Sequence, residues 1–157
     1  MTKTPQNGNV DPKITKALQE IVGETNATDK IHIRYAYSYD LSFVERKSPD
    51  YVAMPTTVEQ IQKIMKFANQ EKIPVIPYTA GTNIGGLCIP EDGGILLDLK
   101  QMNKILTIND QLHYAVIEPG VSHAQFAHAI AKYGFRWSWP VGPPSASVSS
   151  NALCHGI

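Results

Sequence analysis

A short apolar run, a capped helix and a second apolar run follow one another between Tyr51 and Pro77, and this pattern constrains the fold more than any other stretch of the chain. Tyr51-Val52-Ala53-Met54 is closed by Pro55. Thr56-x-x-Glu59 reads as a capping box opening a helix that carries Val58, Ile61, Ile64, Met65 and Ala68 on one face. Lys72-Ile73-Pro74-Val75-Ile76-Pro77 then reads as a buried strand whose prolines favour an edge or a strand end. Together they make a βαβ unit.

Upstream, Asp11-Pro12 looks like an N-cap with proline at the first helical position, and Ile14, Ala17, Leu18, Ile21 and Val22 recur at helical spacing until Gly23. Residues 24–49 read as an irregular segment, with Ser38, Asp40 and Ser42 supplying turn chemistry and Tyr35, Tyr37 and Tyr39 alternating as on a strand face. Downstream, Ile95-Leu96-Leu97-Asp98-Leu99 reads as a strand. The stretch from Met102 through the Asn109-Asp110 turn to Glu118 reads as a β-meander. Ser122-x-x-Gln125 is a second capping box, with Phe126, Ala127, Ile130 and Ala131 on one helix face and Gly134 at C′. Trp137 to Ile157 shows no clear period.

A chain of 157 residues is the size of one ordinary domain. Fourteen basic residues balance fourteen acidic ones, so the formal net charge is zero. A nucleic-acid binder carries a basic surplus or stripe, and that class drops out. No apolar run approaches the ~20 residues of a membrane span, and the polar Met1 to Asn9 stretch has no signal-peptide core behind it, so the expected location is cytoplasmic. Cys88 and Cys154 have neither metal-ligand nor redox-motif spacing. His123 and His128 are expected at the surface of their helix, with no third ligand to make a metal site.

Two loops remain for chemistry. Tyr78-Thr79-Ala80-Gly81-Thr82-Asn83-Ile84-Gly85-Gly86 follows a buried strand, and its glycines allow successive backbone N–H groups to converge on an anion while Thr and Asn add donors. The alternative is a tight connection and nothing more. A P-loop is excluded because Leu87-Cys88 follows the last glycine, and a dinucleotide fingerprint is excluded by the glycine spacing. The second loop, Trp139 to Asn151, combines prolines and Gly142 with hydroxyl and amide donors.

Taken in order, these pieces resemble the cofactor-binding domain of the vanillyl-alcohol oxidase and p-cresol methylhydroxylase superfamily of flavoproteins. The likeness is carried by Pro49 to Pro55, by Ile73 to Pro77 running into Gly81-Thr82-Asn83, and by Gly93 to Leu99 with Met102-Asn103-Lys104-Ile105. Val116 to Val121 and Ala146 to Ala152 with His155-Gly156 complete it. The resemblance implies an α+β fold of the PCMH type, a βαβ unit followed by a mixed or antiparallel sheet with flanking helices. Residues 1–48 would form an N-terminal helix and irregular segment, and residues 49–157 the FAD-binding domain, incomplete at its C-terminal end. It further implies that Tyr78, Thr79, Ala80, Gly81, Thr82 and Asn83 surround the FAD diphosphate, with Gly85 permitting close backbone approach. Pro119, Gly120, Gly142, Ser145, Ser149 and Asn151 would border the adenosine and flavin portions.

The first loop holds no histidine to attach the flavin, so non-covalent FAD is the expectation. Departures from the family pattern fall at Tyr78-Thr79-Ala80, at Ser149-Ser150-Asn151 and at His155. For Cys154 and His155 packing or exposure outweighs a flavin link, and for Arg136 a solvated loop cation outweighs a phosphate contact. Trp137 and Trp139 read as one ring in the core and one at the rim.

The implied activity is that of a flavin-dependent oxidase or dehydrogenase of a hydroxy acid, alcohol or phenol, with FAD accepting a hydride at N5. No catalytic acid or base is nominated within the chain. The alternative is a non-catalytic flavin-binding subunit, or a truncated product, whose partner polypeptide supplies the substrate domain.

Overall fold

The computed structural model describes residues 10–138 and 142–155. Trp139, Pro140 and Val141 of the second loop, like Gly156, Ile157 and the first nine residues, lie outside the described residues. Contacts divide the described chain into two units. One runs to Tyr78 and includes Asn83–Asp98; the other comprises Thr79–Thr82 and the residues from Leu99 onward.

The first unit opens with α1 (Pro12–Val22), capped by Asp11, whose carboxylate accepts the Lys13 N–H at 2.9 Å. The Asp11 N–H donates to Tyr51 Oη at 2.8 Å, tying the helix start to the sheet. The stretch expected to be irregular holds a 3-10 turn (Glu24–Asn26), β1 (Ala27–Thr28) and α2 (Ile31–Ala36). β1 is two residues long and exists through antiparallel pairing with β2 (Tyr51–Ala53), a long-range partnership that local periodicity does not encode. Tyr35 therefore lies in a helix and Tyr37 at its C-cap, so the three tyrosines do not line a strand.

β2 leads through Thr57 into α3 (Val58–Glu71) and on to β3 (Val75–Tyr78). β4 (Ile95–Asp98) inserts between β2 and β3, parallel to both, giving the sheet order β1-β2-β4-β3. All four residues of β4 are buried because the strand has a neighbour on each side and Ile64 and Ala68 of α3 are buried too. Each buried Ile or Leu among these stabilises the fold by about 1.5–3 kcal/mol. Pro77 is tolerated because β3 is the edge strand, as its prolines led one to expect.

Three expectations shift here. The capping residue of α3 is Thr57, one position later than expected: Thr57 Oγ1 accepts the Gln60 N–H at 3.3 Å, while Gln60 Oε1 accepts the Thr56 N–H at 2.7 Å. Val58 and Met65, expected on the buried face, are exposed, since the contact stripe is as narrow as Ile64 and Ala68. Lys72 belongs to the helix end, where it takes a left-handed conformation, and the strand begins at Val75.

The second unit is built on the hairpin β5 (Ile105–Asn109) and β6 (Tyr114–Ile117), followed by α4 (His123–Ala131) and α5 (Val148–His155). Val121, Phe126 and Ile130 form its core, against which Ile105, Ile108, Ala115 and Ile117 pack. Ser122 caps α4, accepting the Gln125 N–H at 3.2 Å; the Gln125 side chain donates instead to the Asn103 carbonyl at 2.7 Å. α5 falls in the stretch that shows no period in sequence. No helix among the described residues is long and apolar enough to cross a membrane.

Candidate functional site

In the first unit, three parallel strands end on one side, the position where open α/β sheets take ligands. Tyr78 and Asp98 are register partners at these carboxyl ends. Asp98 is buried, and Tyr37 Oη donates to its Oδ2 at 2.6 Å. The Tyr37 ring meets Tyr78 edge to face, centroids 5.0 Å apart. Burial, reinforced by the Asp98 carboxylate, raises the Tyr37 phenol well above its ordinary range; burial first and neighbouring charges second raise Tyr78. Both remain neutral phenols across the physiological range. Sequence reasoning named Tyr78 and missed Tyr37 and Asp98, whose partnership spans sixty-one positions.

The later half of the first loop spends its donors on the protein. Asn83 Oδ1 accepts the N–H groups of Gly85 at 2.7 Å and Leu87 at 3.2 Å, and Asp40 Oδ2 accepts that of Gly86 at 3.0 Å. A Cβ on Gly85 would meet Asn83 Oδ1 at ordinary contact distance, 3.5 Å. The conformational demand falls on Gly86 instead, at φ +80°.

In the second unit, the half-buried Thr79, Ala80, Gly81 and Thr82 have backbone N–H groups for which the described residues supply no partner. Half-buried donors of this kind call for a ligand or water. Gly81, at φ +66°, has the left-handed geometry that turns adjacent amides toward one point. No lysine or arginine occurs between Tyr78 and Cys88, so the loop offers amides and hydroxyls to an anion. This donor set fits a diphosphate whose charge is stabilised by hydrogen bonds from neutral groups.

The same unit gathers the Pro119 turn and the described part of the second loop, from Gly142 onward. The Gly120 N–H donates to the Met102 carbonyl at 2.7 Å, and a Cβ there would lie 2.7–2.8 Å from the carbonyl oxygens of Leu99, Lys100 and Met102. Buried Ser147 donates from Oγ to the Pro119 carbonyl at 2.6 Å and accepts the Ser150 N–H at 3.1 Å. The Val148 N–H donates to the Val121 carbonyl at 3.0 Å and the His123 N–H to that of Ala146 at 3.0 Å. Pro119 and Gly120 are thus brought beside the segment that carries Ser145, Ser149 and Asn151. Ser145 and Gly142 are exposed, Ser149 and Asn151 half-buried, and a Cβ on Gly142 would meet open space.

His123, expected at the surface, is 1% exposed: its Nδ1 accepts the Trp137 Nε1–H at 2.9 Å and the rings stack. It faces inward because the first turn of α4 is hydrogen-bonded to the segment from Pro144 to Ala146. Its pKa is lowered by burial. His128 is exposed, as expected. Trp137 also packs on Phe126, centroids 4.8 Å apart, and stands half-buried. Cys154 is exposed and Cys88 half-buried. A cleft of about 210 Å³ beneath the hairpin is lined by Ile108, Phe126, Phe135, Arg136 and Trp137, none of them a site residue expected from the sequence. Among the described residues no three His, Cys, Asp or Glu side chains are grouped to hold a metal ion.

Comparison with known proteins identifies the family and the fold. A family model described as an FAD binding domain matches residues 49–154. The glycolate oxidase subunit GlcD of Bacillus subtilis is 30% identical over 137 residues, covering 87% of this chain and 29% of that protein. The flavoprotein subunit of the hydroxylating 4-cresol dehydrogenase of Pseudomonas putida is 33% identical over 167 residues, covering 97% of this chain and 32% of the relative. The structure of 4-ethylphenol oxidase from Gulosibacter chungangensis superposes with a TM-score of 0.83 at 27% identity, over 99% of this chain and 31% of the other. The chain spans about three tenths of the length of the relatives it matches.

Proposed function

Since the chain belongs to the FAD-binding domain family of the vanillyl-alcohol oxidase and p-cresol methylhydroxylase flavoproteins, we propose that residues 49–157 hold FAD non-covalently, as the cofactor-binding part of an oxidoreductase acting on a hydroxy acid, alcohol or phenol. The observation that carries this reading is the run of amides from Thr79 to Thr82, without a partner among the described residues, around the left-handed Gly81. In this reading those amides, with the Thr79 and Thr82 hydroxyls and with Tyr78 and Asn83 at either end, hold the diphosphate. Pro119, Gly120, Gly142, Ser145, Ser149 and Asn151 border the adenosine and flavin portions, and Ser147 keeps the Pro119 turn and α5 together. Bound FAD would supply the capacity to accept a hydride.

The chain's own residues bind and orient; none is assigned as acid or base. The substrate classes are suggested by relatives named for glycolate and 4-cresol. Because the chain spans about three tenths of such relatives, the substrate domain is assigned to further polypeptide, in the same product or in a partner.

Titration of FAD into the purified chain tests the reading. Saturable quenching of flavin fluorescence is expected, with all the flavin released into the supernatant on acid precipitation. Unchanged fluorescence would overturn the cofactor assignment, and flavin retained in the precipitate would overturn non-covalent attachment. The partial coverage favours a second reading, a flavin-holding subunit with no turnover of its own. Anaerobic bleaching of the loaded chain by glycolate, lactate or 4-cresol would rule that reading out.

A further inference from the structure

The strap from Tyr37 to Arg46 precedes the residues that the family model matches, yet it touches the glycine loop at several points. The Asp40 carboxylate lies between the two segments: Oδ1 accepts the Ser42 N–H at 2.8 Å, within the strap, and Oδ2 accepts the Gly86 N–H at 3.0 Å, across to the loop. The Leu41 N–H donates to the Asn83 carbonyl at 3.1 Å. At Gly86 a Cβ would come 2.5 Å from Val44 Cγ2, so strap and loop meet with no room for a side chain. Arg46 stiffens the strap, its guanidinium centre 4.4 Å from the Tyr39 ring and its Nη1 donating to Tyr35 Oη at 3.0 Å.

We propose that Asp40 is a positioning residue for the FAD-binding loop, acting through Gly86 without touching the cofactor. This rests on the FAD reading above. Tyr78 is paired in the sheet and Asn83 is tied to the strap, so the four residues Thr79 to Thr82 run between two anchors. Without the strap the unanchored stretch extends through Gly86. Every residue that must be ordered on binding costs affinity, so an anchored loop binds more tightly than the same donors on a slack one.

Electrostatics alone predicts the opposite. Removing a carboxylate near an anionic diphosphate favours binding, whereas loss of an anchor weakens it, and the sign of the change separates the two.

The test compares Asp40→Ala, Asp40→Asn and, as a charge-matched control in the β3–β4 connection that carries Gly86, the exposed Asp92→Ala. Each full chain is measured for FAD affinity by fluorescence quenching and, without FAD, for amide hydrogen exchange at Gly86 and at Leu96 of β4. In Asp40→Ala, Gly86 exchange is expected to accelerate while Leu96 stays protected, and the FAD dissociation constant to rise on the order of tenfold. Asp40→Asn keeps one acceptor oxygen and is expected to fall between, with Asp92→Ala at the wild-type value.

Unchanged Gly86 exchange in Asp40→Ala overturns the proposal whatever FAD does. Faster Gly86 exchange with unchanged or tighter FAD binding also overturns it, leaving Asp40 a structural contact only. Loss of Leu96 protection in Asp40→Ala would mean the sheet itself depends on Asp40, and the Asp40→Asn comparison then decides: affinity equal to wild type with Gly86 deprotected overturns the positioning role. If the wild-type chain takes up no FAD, the FAD reading falls with this role, a failure recognised in the wild type and not in the variants.

Discussion

Gly120 and Gly142 are both glycines expected to border the cofactor, and their surroundings make opposite demands. Three carbonyl oxygens enclose the position a Gly120 Cβ would take, and backbone oxygens cannot rotate aside. Gly120→Ala is therefore expected to lower unfolding stability by about 1–3 kcal/mol, read as a lower urea midpoint, while Gly142→Ala leaves the midpoint unchanged. His123 makes a pH-dependent contribution. Its pKa is lowered in the folded chain by burial, and Nδ1 is already the acceptor for Trp137, so the native state favours the neutral ring. The unfolded chain binds the extra proton near pH 6.5, so stability is intact above that value and declines as pH falls toward the lowered folded pKa. The difference in urea midpoint between wild type and His123→Gln should narrow from pH 7.5 to pH 5.5; a constant difference would contradict this.

At the scale of elements, the caps decide where helices begin. Thr57→Ala removes the acceptor for the Gln60 N–H and is expected to cost about 1 kcal/mol in thermal or urea unfolding, with Thr56→Ala costing less because its backbone N–H still donates to Gln60. The one-residue shift marks what sequence conveys well and what it conveys loosely. A helix flanked by strands is written in the spacing of Ile64 and Ala68 and in the threonines before them, but two adjacent threonines offer two registers, and the backbone entering from Pro55 selects one. α5 was not legible because its stabilisation is not periodic: buried Ser147 joins its first turn to the Pro119 carbonyl, twenty-eight positions away. β1 and the Asp40 contact escaped for the same reason, each being defined by a partner remote in the chain. Of the site, the donor-rich composition of the first loop was readable, whereas which of its amides face the protein was not. That division follows from where Asp40 and the Asn83 side chain fall.

For the molecule as a whole, the hairpin of the second unit raises a question of surface. Its inward side chains, Ile105, Ile108, Ala115 and Ile117, reach the Val121, Phe126 and Ile130 core. Its outward side chains include Leu106, Tyr114 and Val116, all exposed, Leu106 at 58%. A two-stranded ribbon presents unpaired N–H and C=O groups along both outer edges, and two strands alone are marginal in water. An apolar outward face beside open edges, on a chain of zero net charge, has little to oppose self-association. Sedimentation velocity of the 157-residue chain is accordingly expected to show mass increasing with concentration. Leu106→Lys combined with Val116→Lys points charge outward without touching the core and should restore the monomer. The same two charges placed as Gln62→Lys and Gln70→Lys on the exposed side of α3 separate general repulsion from local cover. If the α3 pair disperses the chain equally well, net charge is the cause; if neither pair does, association runs through another surface, and the hairpin face is not what holds the copies together.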